Sequence, residues 1–325
     1  MKAIICPRYG SPDVLQLREV EKPSQRKDEV LIKIHATSLN SRDVRIMRAN
    51  PIIMRLMPGG FFRPKINILG ADFAGCIETV GQNVRQFMPG DEVYGYMPSA
   101  TRCGTLAEFV SAGETLIAQK PANLTFEQAA AVPLAAVTAL QGLRDKGNIQ
   151  PGQNVLIYGA SGGVGNFALQ IAKAFGAEVT AVCSTRNLEM ARSLGADHVI
   201  DYKKEDFTKS EMQYDLILAV NGFHPIEDYL RALKPSGSYV VAGGSMRQLI
   251  QAGSMAKRNP MPGTQKISIL SLEQNNNDLI LIKELLEAGD IKPVIDGCYS
   301  LEKTPEAFRY FENEHPKGKV VIKVC

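Results

Sequence analysis

Residues Tyr158-Gly159-Ala160-Ser161-Gly162-Gly163-Val164-Gly165 make a glycine-rich turn between two runs of different periodicity. Before it, Asn154-Val155-Leu156-Ile157-Tyr158 reads as a short buried strand. After it, Asn166-Phe167-Ala168-Leu169-Gln170-Ile171-Ala172-Lys173 carries apolar residues at helical spacing. A strand that enters a helix through glycines aims backbone N–H groups and the positive end of the helix dipole at one point. That geometry suits a dinucleotide pyrophosphate, with Ser161, Gly162, Gly163 and Val164 as the contacting residues. Against the pattern G-x-G-x-x-G, Ala160 replaces the first glycine, while Gly162 and Gly165 hold the other two. Glu178-Val179-Thr180-Ala181-Val182-Cys183 follows as a second strand, which completes one strand–helix–strand unit.

The end of that second strand selects the coenzyme. A site for NAD carries an Asp or Glu about 20 residues after the turn, where it accepts from the ribose 2′-hydroxyl. Here the place holds Ser184-Thr185-Arg186. No carboxylate stands in this segment to repel a 2′-phosphate, and Arg186 can meet one with a charge-assisted fork while two hydroxyls add donors. NADPH is the expected coenzyme.

A chain of 325 residues has room for about two domains. Its 45% hydrophobic and 22% charged content is that of an ordinary globular enzyme. A formal net charge of +3 with dispersed Lys and Arg leaves no footprint for a nucleic acid. The longest apolar run, Ala129 to Leu140, is too short for a membrane span and contains Pro133. The start, Met1-Lys2-Ala3-Ile4-Ile5-Cys6, runs straight into a strand pattern without a signal-peptide core. Six cysteines without a C-x-x-C pair read as reduced thiols. A cytoplasmic location is the default expectation.

By pattern the chain falls into three parts. Short β-like runs such as Glu29-Val30-Leu31-Ile32-Lys33-Ile34-His35 and Leu106-Ala107-Glu108-Phe109-Val110 fill residues 1–124, separated by breakers such as Pro89-Gly90-Asp91. Residues 125–289 alternate helix and strand, as in a doubly wound parallel sheet of the Rossmann type. Residues 290–325 return to β-like runs and are expected to complete the first domain.

Several segments carry a wider resemblance. They are Ser38-Leu39-Asn40-Ser41-Arg42-Asp43, Gly70-Ala71-Asp72-Phe73-Ala74-Gly75 and Pro89-Gly90-Asp91-Glu92-Val93. Further on come residues 131–140, Ala160-Ser161-Gly162-Gly163-Val164-Gly165, Leu194-Gly195-Ala196-Asp197 and Lys317-Gly318-Lys319-Val320-Val321. In this order the chain resembles the zinc-free quinone oxidoreductases, the zeta-crystallin-like members of the medium-chain dehydrogenase/reductase superfamily. The resemblance implies an α/β protein in which a GroES-like β-barrel domain (1–124 and 290–325) joins a Rossmann NADPH-binding domain (125–289). It also implies a homodimer formed edge to edge between Rossmann sheets, for which Lys266-Ile267-Ser268-Ile269-Leu270 is the candidate strand.

Zinc-dependent relatives place a cysteine soon after the strand that here ends near Ser38, and Gly-His-Glu where this chain has Gly70-Ala71-Asp72. Thiolate and imidazole are both missing, and a lone Asp72 cannot build a tetrahedral zinc site, so no metal is expected. Without a Lewis acid, the accessible chemistry is hydride or electron donation to acceptors already electrophilic, namely quinones and α,β-unsaturated carbonyls. The resemblance assigns Asn40 as a hydrogen-bond donor to the substrate carbonyl, although Asn40 also reads as a helix N-cap. It puts Thr138 beside the nicotinamide, and Lys173 and Tyr202 near the 2′-phosphate. Asn221, Gly243, Gly244 and Ser245 lie at the ends of later strands, where ligands bind in such sheets. Tyr94 and Tyr96 are candidates for the substrate pocket, and the segments 54–63 and 246–261 for an apolar lid.

Some relatives carry a proton-donating tyrosine soon after the Asn-x-x-Asp segment, whereas this chain has Arg45-Ile46-Met47-Arg48-Ala49-Asn50. That absence favours one alternative, a non-catalytic NADPH-binding redox sensor or structural protein; a second, an alcohol-dehydrogenase-like carbonyl reductase, is opposed by the missing zinc ligands.

Overall fold

The structure is a computed structural model that describes residues 1–50, 64, 67–98, 104–222, 224–244, 246–256 and 264–325. In chain order it begins with β1 (Lys2–Ile5), β2 (Gln16–Glu19), β3 (Glu29–Ser38) and α1 (Ser41–Arg48). Next come β4 (Asp72–Val80), β5 (Glu92–Tyr96), β6 (Phe109–Gly113), β7 (Ile117–Gln119), α2 (Phe126–Ala130) and α3 (Pro133–Gln141). The parallel region holds β8 (Asn154–Tyr158), α4 (Gly163–Ala174), β9 (Glu178–Cys183), α5 (Leu188–Ser193) and β10 (His198–Asp201). It continues through β11 (Tyr214–Ala219), α6 (Ile226–Ala232), β12 (Leu233–Val241), α7 (Met246–Ala256) and β13 (Lys266–Ile269). The chain closes with α8 (Asn276–Ala288), β14 (Ile295–Ser300), α9 (Thr304–Asn313) and β15 (Lys319–Lys323).

Two compact units result. The first comprises Met1–Leu134, Gln274–Glu287 and Pro293–Cys325. Its seven-stranded sheet runs β14-β15-β3-β4-β5-β7, with β6 paired to β3. Val30, Ile32 and Ile34 of β3 point together into a core with Phe73, Val93 and Val110, while the intervening Lys33 is exposed. Register shifts between Leu31/Ile32 and Ile34/Ala36 break this alternation, and Ala36, Thr37 and Ser38 are all buried. Bulges of this kind re-aim side chains, here at the end of β3 where Asn40 follows.

The second unit comprises Ala135–Glu273 and Ala288–Lys292. Its six strands are all parallel, in the order β10-β9-β8-β11-β12-β13. Counted along the chain this is 3-2-1-4-5-6, so the order reverses between β8 and β11, which is where doubly wound sheets bind ligands. The central strands β8, β9 and β11 are near-continuous buried apolar runs, as burial on both faces requires, while the edge strands β10 and β13 are more exposed.

The units depart from the expected boundaries at 124/125 and 289/290. The segment through Leu134 belongs to the first unit, because Phe126 of α2 stacks on His35 at 4.2 Å between centroids. Most of α8 belongs there too. The Tyr94 hydroxyl donates to Leu279 O (2.6 Å), Asn123 Nδ2 to Leu286 O (2.8 Å), and the Ala122 N–H to the Glu287 carboxylate (2.9 Å). Helical periodicity reveals an apolar face but not the sheet that covers it, so α8 had read as one more helix of the alternating region.

Candidate active site

In the second unit the glycine turn connects β8 to α4 at the switch point, beside the end of β11. Gly159, not Ala160, makes the tight bend: its φ is +87°, and a Cβ there would crowd Asn221 at 3.1 Å. The first glycine of the motif is therefore displaced by one residue rather than lost. A Cβ on Gly165 would lie 2.2 Å from Gly159 O and 2.7 Å from Ala160 Cα, so α4 packs directly on the turn. Gly162, the residue capping α4, differs from both. A Cβ there would meet no protein atom nearer than Gly159 O at 3.8 Å. Packing makes no demand on this glycine; its bareness leaves the first-turn N–H groups open to a phosphate, which fits the residues to a dinucleotide.

The other strand ends are less uniform. A Cβ on Gly243 would strike Val220 O at 2.3 Å, and Gly244 has φ +109°, so both glycines answer to backbone geometry. Asn221 is exposed at the end of β11. Ser245 lies outside the described residues, as do the candidate lid residues 54–63 and 257–261.

Ser184, Thr185 and Arg186 follow β9, and Tyr202 follows β10, where the Tyr202 N–H donates to Cys183 O (3.2 Å). The structure thus gathers these four residues, with Arg186 exposed and Tyr202 52% exposed. It also brings a carboxylate that sequence distance had hidden. The Thr185 hydroxyl donates to Asp201 Oδ2 at 2.6 Å, and this bond holds the Asp201 carboxyl below its ordinary range. Contrary to the expectation of no acid here, Asp201 arrives from the neighbouring strand, but it is turned onto Thr185 and the Lys203 N–H (3.1 Å).

Lys173 does not join this group. It stands near the C-terminal end of α4, about 15 Å along the helix from Gly163 at 1.5 Å per residue. Its ammonium bonds both oxygens of Asp197 (2.9 and 2.8 Å) and Ala177 O (3.1 Å). In place of the expected approach to a 2′-phosphate, Lys173 ties α4 to Asp197, the residue immediately before β10.

In the first unit Asn40 precedes α1 as its N-cap, and Asp43 reaches back to accept the Asn40 N–H (2.9 Å). The Asn40 side chain points elsewhere. Its Nδ2 donates to Asp72 Oδ2 (2.9 Å) and more weakly to Ser38 O (3.3 Å), and its Oδ1 accepts from Lys319 Nζ (2.6 Å). Asp72 also accepts from Ser38 Oγ (2.8 Å), Lys319 Nζ (3.0 Å) and the Leu134 N–H (2.7 Å). Lys319 spends its third proton on Leu39 O (3.1 Å). Asp72 is 0% and Lys319 3% exposed, so this ion pair is sealed in the protein and fully bonded. Burial pushes the neighbouring Asp43 carboxyl upward.

Sequence reasoning missed Lys319 as a site residue. Its Lys317-Gly318-Lys319 motif was in view, but nothing local tied it to a position 279 residues away. Thr138 is buried on α3 in the second unit, whereas Asn40 belongs to the first. Tyr94 packs under α8. Tyr96 is buried, its hydroxyl has no hydrogen-bond partner among the described residues, and burial pushes its pKa up to about 12. Among the described residues no three His, Cys, Asp or Glu side chains gather as a metal ligand set, and no helix is long and apolar enough to cross a membrane.

Comparison with known proteins agrees with both units. Residues 26–142 match the alcohol dehydrogenase GroES-like domain family, and residues 194–322 match the zinc-binding dehydrogenase family. The chain is 37% identical to 2-methylene-furan-3-one reductase of Solanum lycopersicum, over 99% of this chain and 79% of that protein. It is 33% identical to the chloroplastic NADPH-dependent alkenal/one oxidoreductase of Arabidopsis thaliana, over 99% and 79%. The solved quinone oxidoreductase of Coxiella burnetii superposes with a TM-score of 0.88 at 31% identity, covering 100% of this chain and 99% of that one. With a GroES-like unit, a coenzyme turn at the switch point of a parallel sheet, and these relatives along its whole length, the chain belongs to the quinone oxidoreductase family of the medium-chain dehydrogenase/reductases and is an NAD(P)H-linked oxidoreductase.

Proposed function

We propose that this protein uses NADPH to reduce quinones or α,β-unsaturated carbonyl compounds without zinc. The observation that carries the reading is the closed set of Asn40, Asp72 and Lys319, in which Asn40 follows the strand end near Ser38 and Asp72 ends Gly70-Ala71-Asp72, the two places where the resemblance puts zinc ligands. An amide and the methyl of Ala71 cannot stand in for thiolate and imidazole toward zinc, and the Asp72 carboxylate is already taken up by Lys319. With no Lewis acid to polarise a simple ketone, the acceptor must bring its own electrophilicity. NADPH, when bound, supplies the hydride. The chain's residues hold the coenzyme, exclude water and meet the charge that develops on the acceptor oxygen.

In this reading the first unit is the catalytic domain and the second the coenzyme domain. Ser161 to Val164 face the pyrophosphate, Thr138 the nicotinamide, and Asn221, Gly243 and Gly244, at the ends of later strands, the bound coenzyme. Asn40 offers the N–H that reaches Ser38 O only at 3.3 Å, the weaker of its two bonds and the one an acceptor oxygen can take over. Ser184, Thr185, Arg186 and Tyr202 receive the 2′-phosphate. Arg186→Ala should weaken NADPH binding about tenfold or more, the loss of one charge-assisted contact, and leave NADH binding within about twofold. Fluorescence titration with the two coenzymes checks this; an unchanged preference would remove Arg186 from the site.

The activity is tested by following NADPH oxidation with 1,4-benzoquinone, with an enone and with the matching saturated ketone. Turnover is expected with the first two alone. Equal rates on the saturated ketone would favour a carbonyl reductase, and tight NADPH binding with no turnover would favour a non-catalytic role. Stoichiometric zinc in the purified protein would overturn the metal-free part. The outer edge of β13 supports a homodimer that joins two sheets, to be read as a doubled mass in light scattering. A cytoplasmic location completes the proposal, checked by cell fractionation.

A further inference from the structure

The Asn40 side chain is held in a way that fixes which end of its amide points where. A lysine ammonium can only donate, and a carboxylate can only accept. Lys319 Nζ on one side (2.6 Å) and Asp72 Oδ2 on the other (2.9 Å) therefore determine Oδ1 and Nδ2 without ambiguity. All three Lys319 protons are used, on Leu39 O, Asn40 Oδ1 and Asp72 Oδ2, so the ammonium has none left for a substrate. Asn40 is only partly buried, whereas the pair behind it is sealed.

Burying two charges is costly, and a well-packed apolar pair of similar volume would often hold a fold as well or better. Packing alone therefore gives little reason for the pair. Its distinctive effect falls on the amide. A positive charge on Oδ1 draws electron density from the amide nitrogen, and in a low-dielectric interior that polarisation passes along the hydrogen-bond chain. The Nδ2–H then becomes a stronger donor.

We propose that Lys319, braced by Asp72, is a positioning residue that orients and polarises the Asn40 amide, so that a buried ammonium acts through an amide where metal-dependent relatives polarise the substrate directly. As hydride adds to the β-carbon of an enone, the π electrons move to the carbonyl oxygen. The Asn40 N–H strengthens its bond to that oxygen as the charge grows, and water afterwards supplies the proton to the α-carbon. No proton leaves Lys319 or Asn40.

This inference rests on the reduction proposed above, and its test separates the two. The double variant Lys319→Met/Asp72→Asn removes both charges at nearly constant volume. It should melt within a few degrees of the wild type and keep its NADPH Kd, while kcat on the enone falls about tenfold or more with acceptor KM little changed. A folded double variant with full kcat would overturn the proposal. Asn40→Ala, which leaves the ion pair in place, should lose a similar factor, and combining all three changes should cost no more than either; full kcat in Asn40→Ala would overturn the proposal as well. A readout independent of activity comes from Lys319→Ala. n-Propylammonium chloride, which matches the deleted atoms, should raise its Tm above the value in equal tetramethylammonium chloride, and an equal Tm in the two salts would count against a specific cation site. Wild-type protein that reduces no enone or quinone would sink the functional reading, while the amine-dependent Tm would still report on the site.

Discussion

A single methyl group at position 165 is expected to close the coenzyme site. The Cβ of Gly165→Ala would stand 2.2 Å from Gly159 O and 2.7 Å from Ala160 Cα. Both are backbone atoms, so no side chain can swing aside, and α4 must retreat from the turn. Alanine gains about 1 kcal/mol over glycine in a helix, but overpacking of this kind costs about 1–3 kcal/mol. The clash should win modestly in stability and decisively in binding, because the first-turn N–H groups move away from the pyrophosphate together. NADPH affinity should drop by roughly two orders of magnitude, about 2.8 kcal/mol. Gly162→Ala is the informative partner. Its methyl would meet no protein atom nearer than 3.8 Å, so Tm should hold while NADPH binding still weakens. Thermal melts with and without NADPH distinguish the two: one variant loses stability and ligand response, the other ligand response alone.

Lys319→Met alone should be the most damaging change to the first unit. It leaves Asp72, which is 0% exposed, as an uncompensated buried carboxylate. Breaking a buried pair from one side costs about 3–5 kcal/mol, far more than an exposed pair such as Arg192 with Glu189, where about 0–1 kcal/mol is usual. At roughly 2–4 °C per kcal/mol for a unit of this size, Tm should fall by roughly 10 °C. Adding Asp72→Asn should restore most of the loss, because the charge left behind carries the penalty. If the single variant melted like the wild type, the buried pair would have to be reached by water, contrary to its placement here.

The two units differ in how much of them could be read in advance. The central strands of the parallel unit were legible because β8, β9, β11 and the end of β12 are buried apolar runs, whereas β10 (His198–Asp201), half exposed, carried no such signal. The glycine turn was legible as well, apart from the identity of its first glycine. There the conformation of residue 159, not the spacing of the motif, decides which position must be bare. At the end of β9, Ser184-Thr185-Arg186 could be singled out because it is contiguous, whereas Asp201 reaches Thr185 only through the pairing of β10 with β9. Lys173 went the other way: a sequence match placed it at the coenzyme, but the helical rise from Gly163 carries it to the far end of α4, onto Asp197.

What the amino-acid sequence determined by itself is the strand, glycine turn and helix of the parallel unit, and the residue types at two places in the first unit. A strand, a glycine turn and a helix are local, so their residues sit within reach of one another wherever the rest of the chain goes. The missing thiolate and imidazole are likewise facts of composition at fixed positions. What only the tertiary structure decided is the state of Asn40. Its amide is fixed by Asp72, 32 residues on, and by Lys319, 279 residues on. Those three meet because β15 and β4 both pair with β3, with Val321 opposite Ser38 on one side and Asp72 opposite Ser38 on the other. Sheet register sets such contacts through hydrogen bonds between distant segments, and no period or spacing along the chain records which strand will be the neighbour.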